Sequence, residues 1–169
     1  MVFTVAVSED RTWSHIGIAG RRSDGETHVQ IVQSGRGTDW VAERVAELVD
    51  AWSPRAVALD PASPAGSLIP DLAQHTVTVE TLNGREVTQA CGAFLDAVNQ
   101  GSVHHGGQRQ LNVSIGVARK RTIEGGAFQW RSSDPKIDIA PLRAVTLALF
   151  VLEQQLALPK KRSGRAAFL

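Results

Sequence analysis

An α/β domain with a mixed five-stranded sheet flanked by helices is predicted by this sequence, from three observations. Three β-rich segments joined by polar turns open the chain, a helix of clear apolar period follows, and short apolar runs then alternate with helical stretches. Strands in a meander pair antiparallel, whereas strands separated by helices pair parallel through right-handed crossovers. At 169 residues, 43% hydrophobic and 21% charged, the chain is long enough for one domain with its own core.

The elements follow in order. Residues 2–8 alternate and are β-rich, and His15 to Gly20 and Thr27 to Gln33 read as the second and third strands. The links around Ser8-Glu9-Asp10-Arg11 and Arg22-Ser23-Asp24-Gly25 carry turn residues. Thr38 or Asp39 is expected to cap a helix whose apolar positions Trp40, Val41, Val45, Leu48, Val49 and Trp52 follow a helical period, with Ser53-Pro54 ending it. Arg55 to Asp60 reads as a short strand buried on both faces, because its apolar run is nearly continuous. A short helix over 65–74, a strand over 76–79 and a helix over 84–100 come next. Residues 109–118 are expected to be helical, 121–123 and 127–130 to pair as a hairpin, and 139–157 to form an apolar helix on the sheet. This layout is that of an RNase H-like α/β domain, with strand order 3-2-1-4-5. Residues 1–158 are expected to form the domain, and 159–169 a basic, disordered tail.

The tail carries four basic residues and no acid, so a net charge of +1 for the whole chain becomes −3 for residues 1–158. A uniformly basic nucleic-acid-binding domain is excluded, and local clusters such as Arg119-Lys120-Arg121 remain. The single Cys91 excludes an internal disulfide and reads as a packed thiol. No run approaches the roughly 20 apolar residues of a membrane span, and a reducing cytoplasm is the expected setting. No Walker-type phosphate loop, G-x-S-x-G or H-E-x-x-H motif is present. His104-His105 lacks supporting ligands and reads as a loop or strand-end pair.

Dispersed carboxylates carry the chemical signal. Asp60 closes the run Ala56-Val57-Ala58-Leu59 and precedes Pro61, which puts it at the C-terminal edge of the sheet, where ligands of open α/β sheets bind. Asp138 opens the last helix, and spacing alone favours a plain N-cap there over a metal ligand. Asp10 and Asp134 are auxiliary candidates that read first as turn residues. Acids from separate elements suit Mg²⁺ or Mn²⁺, and two such ions about 4 Å apart can activate water and stabilise the leaving oxygen in phosphodiester hydrolysis. The first strand would supply the third acid, but its centre is Ala6.

Several segments, in order over about residues 3 to 152, resemble the C-terminal nuclease domain of the phage terminase large subunit, of the actinobacterial phage and prophage type. They are Val5-Ala6-Val7-Ser8-Glu9-Asp10-Arg11, Gly37-Thr38-Asp39-Trp40, Ala58-Leu59-Asp60-Pro61-Ala62, Gly84 to Phe94, and Ile137-Asp138-Ile139-Ala140-Pro141-Leu142. The resemblance implies an RNase H-like fold and metal-dependent cleavage of concatemeric double-stranded DNA, with two Mg²⁺ or Mn²⁺ ions in an intact site. It also implies work beside a terminase ATPase domain, the portal and the small terminase subunit, in the host cytoplasm at the procapsid portal. By motif match Asp60 and Asp138 inherit the metal-ligand role, which reverses the preference for a simple cap at Asp138.

The family's usual first-strand acid falls at Ala6. An inactivated variant or a weakened copy is preferred to rescue by Glu9 or Asp10. Arg119, Lys120, Arg121 and Arg131 are the expected DNA contacts, since their segment immediately precedes the Asp138 helix; Trp130 could stack on a base, although a packing role is preferred. The competing readings are another RNase H-like nuclease, such as a junction resolvase, and a non-catalytic module that docks DNA or the portal.

Overall fold

The computed structural model describes residues 1–158, so the tail predicted for 159–169 lies outside the described residues. Strands β1 (Val2–Val7), β2 (Trp13–Arg21) and β3 (Thr27–Arg36) form the antiparallel meander. Helix α1 (Val41–Trp52) leads to β4 (Val57–Leu59), and a 3-10 turn at Pro64–Leu68 and α2 (Ile69–Gln74) lead to β5 (Val79–Thr81). Then come α3 (Gly84–Gln100), β6 (Val103–His104), α4 (Arg109–Val117), the hairpin strands β7 (Ala118–Thr122) and β8 (Phe128–Ser132), and α5 (Ala140–Ala157). Among the described residues no helix is long and apolar enough to cross a membrane.

The main sheet runs β5-β4-β1-β2-β3-β6, which contains the expected order 3-2-1-4-5 and adds a sixth strand. That addition corrects the strand count: β6 is two residues pairing in parallel with the start of β3, too short to leave a periodic signal. A second correction concerns the strand expected over 76–79. Thr76 adopts a left-handed backbone, and the N–H groups of Thr76 and Val77 donate to Ala73 and Leu72 at the end of α2. The ladder therefore begins only at Val79. A third is the expected cap of α1, because Trp40 occupies the N-cap with no side-chain hydrogen bond.

Strand β1 is buried along its whole length, with alternate residues serving two cores. Phe3, Val5 and Val7 face α1 and α2 beside Ile16, Val45, Leu59 and Leu72. Val2 and Ala6 face α5 and α3 beside Ala58, Phe94, Leu142 and Val145. Eleven of the eighteen residues of α5 are buried, which marks it as a central helix rather than an amphipathic surface one. Its close approach depends on two residues of the sheet. The Thr4 hydroxyl donates to the Ala144 carbonyl at 2.8 Å, and a Cβ on Gly17 would come within 3.0 Å of Ala144 and 2.8 Å of Thr4 Oγ1. A β-bulge at Ile16/Gly17 lies under this contact. The N-terminus of α5 is thereby set over the C-terminal end of β1.

Candidate active site

The sheet register aligns the candidate positions in one row. Strand β1 pairs with β4 through Phe3–Val57 and Thr4–Ala58, and two further steps bring Ala6 level with Asp60. On its other side Ala6 pairs with His15 of β2, and His15 pairs with Ser34 of β3. Asp60, Ala6, His15 and Ser34 thus cross the sheet side by side, and Asp138 meets this row from the N-terminus of α5.

Asp138 is anchored on both oxygens. Its Oδ1 accepts from the Ala140 N–H at 2.8 Å, and its Oδ2 lies 2.9 Å from His15 Nε2. A carboxylate only accepts, so Nε2 carries the proton. The other ring nitrogen, Nδ1, lies 2.8 Å from Ser34 Oγ. With a neutral imidazole the Ser34 hydroxyl donates to it, giving a hydroxyl–imidazole–carboxylate chain across three elements. His15 is 4% exposed, so it sits inside the wall of the site. Asp138 therefore has two partners, and the plain N-cap that spacing suggests is not formed: Ile139 is the N-cap of α5 and has no side-chain capping bond, while Asp138, one residue earlier, closes a turn onto Ala140.

Asp60 is held differently. Its Oδ1 accepts the Ala62 N–H at 2.9 Å, and its carbonyl accepts the Ser63 hydroxyl at 2.7 Å, so the residue caps the turn that its own strand runs into. It borders a small cavity of about 240 Å³, together with Ala6, Cys91, Gln129, Trp130 and Thr146. Asp138 instead borders a cleft of about 1130 Å³, between the β1–β2 turn, α4, and the hairpin with the segment leading into α5. Glu9 and Arg143 border both spaces. The Arg143 guanidinium donates to Glu9 Oε1 at 3.1 Å, which places a protein cation at the cavity that Ala6 borders.

The auxiliary acids are engaged in turns. Asp10 Oδ1 accepts from the Ser8 hydroxyl at 2.6 Å and from the N–H and hydroxyl of Thr12 at 3.0 and 2.8 Å. The Ser8 hydroxyl first, then the two Thr12 groups, hold its pKa down at about 2. Asp134 Oδ1 accepts the Lys136 N–H at 2.9 Å. Burial raises the pKa of the Cys91 thiol, with the Trp130 backbone and the Arg143 charge acting weakly the other way.

Among the described residues, no three His, Cys, Asp or Glu side chains come together as a metal-holding group. A two-ion cage needs carboxylates converging from separate elements. Ala6 contributes none, Glu9 is paired with Arg143, and both oxygens of Asp138 are engaged. The donor set as it stands does not fit a pair of divalent cations.

Of the expected DNA contacts, Arg121 and Arg131 line the cleft. Arg119 folds back onto the carbonyls of Gly116 and Ala118, and Lys120 lies 4.9 Å from the centre of the Phe128 ring. Trp130 Nε1 donates to Thr146 Oγ1 at 3.1 Å and its ring meets Phe128 edge-on, so it packs the hairpin against α5. Sequence reasoning missed His15, Ser34, Lys136 and Arg143. Only the strand register could have singled out His15 and Ser34, and nothing in their local sequence encodes it.

No protein-family model matches the sequence, and no curated protein matches it either. Solved structures do match. Over 88% of this chain and 38% of the other, the structure is similar to the HK97 bacteriophage large terminase, at a TM-score of 0.72 and 14% identity. The large terminase nuclease from thermophilic phage G20c, solved with bound magnesium, matches at a TM-score of 0.62 and 12% identity, over 87% of this chain and 79% of that one. The nuclease domain of the large terminase subunit of bacterial virus Sf6, solved with manganese, matches at 0.59 and 11%, over 88% and 87%. The present chain thus has the RNase H-like fold of phage large-terminase nuclease domains and spans a little over a third of the HK97 protein.

Proposed function

We propose that residues 1–158 are the nuclease domain of a phage terminase large subunit, of a type that cleaves concatemeric double-stranded DNA during genome packaging with Mg²⁺ or Mn²⁺, and that Ala6 impairs cleavage in this copy. The observation that carries the reading is the row Asp60–Ala6–His15 beneath Asp138 on a terminase nuclease fold. The G20c and Sf6 nuclease structures with magnesium and manganese support the choice of ion. Asp60 and Asp138 are the proposed surviving ligands. Arg121 and Arg131, with Arg119 and Lys120 on the same hairpin, are the proposed contacts to the DNA backbone, where fixed cations displace counterions from the phosphates. The 38% coverage of the HK97 large terminase motivates the proposed partners, namely an ATPase domain, the portal and the small subunit, at the procapsid in the host cytoplasm.

An aspartate at position 6 would place its carboxylate between Asp60 and the His15–Asp138 pair, supplying the acid that the row lacks. Nicking of supercoiled plasmid with Mn²⁺ or Mg²⁺ tests this by comparing the chain with Ala6→Asp. Cleavage by Ala6→Asp alone, abolished by adding Asp60→Asn, is the expected result. DNA binding without cleavage by either form would instead support a second reading, a non-catalytic module docking DNA or the portal. The engaged state of Asp138 and the Arg143–Glu9 pair favours that reading.

A further inference from the structure

The large cleft has an aromatic group that the nuclease reading leaves unused. Trp13 begins β2 and lines the cleft, and its side chain stands on the same face as His15, two residues along the strand. That spacing is roughly 7 Å, so Trp13 lies one step beyond the His15–Asp138 pair. It keeps 40% of its surface exposed, whereas His15 and Ala19, on the same face of the strand, are buried. Its backbone is fixed on both sides, because the Ser8 N–H donates to the Trp13 carbonyl at 2.9 Å and the Trp13 N–H donates to Ser8 Oγ at 3.0 Å. The guanidinium of its cross-strand partner Arg36 lies 5.6 Å from the ring centre, which makes the indole a cation-backed platform.

Elsewhere along the cleft, Arg121, Arg131 and Lys136 are unpaired with any carboxylate among the described residues, and Val113 of α4 adds an exposed apolar side chain. The acids that share the cleft are already engaged, Glu9 by Arg143, Asp10 by its own turn and Asp138 by His15. A rigid exposed indole facing uncompensated cations suits a polyanion that carries flat rings. Inside a duplex both faces of each base are covered by neighbours, so a base can stack on an indole only where it is unpaired or at an end.

We infer that the cleft receives a single-stranded or frayed segment of nucleic acid, with one base stacked on Trp13 and the flanking phosphates on Arg121, Arg131 and Lys136. This rests on the nucleic-acid reading above and adds the form of the strand. Trp130, packed under the hairpin, takes no part in it.

Fluorescence anisotropy of a labelled oligonucleotide tests it, with the strand free or annealed into a blunt duplex, in EDTA and at low salt. Trp13→Ala should weaken single-strand binding about tenfold and duplex binding less than about twofold, since one stacked base is involved. Trp13→Phe should restore most of the loss, and Trp52→Ala, removing an exposed indole at the end of α1, should change neither. Arg131→Ala combined with Lys136→Ala should weaken both forms. If the charge variant weakens binding while Trp13→Ala acts equally on both forms or on neither, the stacking platform is overturned and the nucleic-acid reading survives. If the unaltered chain binds neither form, both fall together.

Discussion

Asp138 and Asp60 stand at the same edge of the sheet, on either side of Ala6, yet different forces hold them. Asp138 belongs to a long-range network, tied through His15 to Ser34 and through its other oxygen to the first turn of α5, and its side chain is 28% exposed. Asp60 belongs to a local turn, with one oxygen on the N–H two residues ahead. A carboxylate fixed by distant elements reports on how the helix sits against the sheet, whereas one fixed by its own turn keeps its place with little reference to the rest of the molecule. Between them stands Ala6, which carries no acid.

The largest test of this contrast is mechanical. Gly17→Val should push α5 away from the sheet, because even its Cβ would fall within 3.0 Å of Ala144 and 2.8 Å of Thr4 Oγ1. A loss of about 3 kcal/mol in chemical denaturation is expected from such overpacking. The His15 imidazole resonances should shift in the same variant, while the amide of Ala62, which reports on Asp60, stays put.

Next comes the network itself. His15→Ala leaves Ser34 and Asp138 without their shared partner in a buried wall, and should cost about 2 kcal/mol. Asp60→Ala removes one turn hydrogen bond at a half-exposed site and should cost less than about 1 kcal/mol. Equal costs in urea melts would mean that His15 does not hold Asp138 and that the contrast fails.

The smallest effect concerns pH. Asp10 has its pKa depressed from 3.8 to about 2, so its hydrogen bonds favour the folded turn when it is ionised. That contribution is fully present above about pH 4 and is lost as pH falls through about 2. Amide exchange at Thr12 and Trp13 should quicken over this window, and Asp10→Asn should flatten the response. An unchanged profile in Asp10→Asn would remove Asp10 as the anchor of the β1–β2 turn.

Helix α3 shows what local chemistry makes legible. The span 84–100 read from sequence is the span observed, because Asn83 and Glu86 form a reciprocal cap at one end and Gly101 adopts a left-handed conformation at the other. Helix α5 is legible for a different reason, its unbroken apolar content. The strand read over 76–79 is displaced because Val77 is buried in a loop, and burial alone leaves the same apolar mark as a strand. Strand β6 is invisible because its two residues become a strand only by lying beside β3.

The sequence by itself determined the meander, the crossovers, the final helix and the absence of an acid at position 6, because periodicity, caps and residue identity are local properties. Tertiary structure alone decided that His15 stands beside Ala6 and Ser34 beside His15, that Arg143 holds Glu9 near Ala6, and that Trp13 rather than Trp130 is the open indole of the cleft. Each of these follows from strand register and the seating of α5, which bring together residues as much as 140 positions apart. Such contacts depend on the whole packing arrangement, and no short window of sequence contains it.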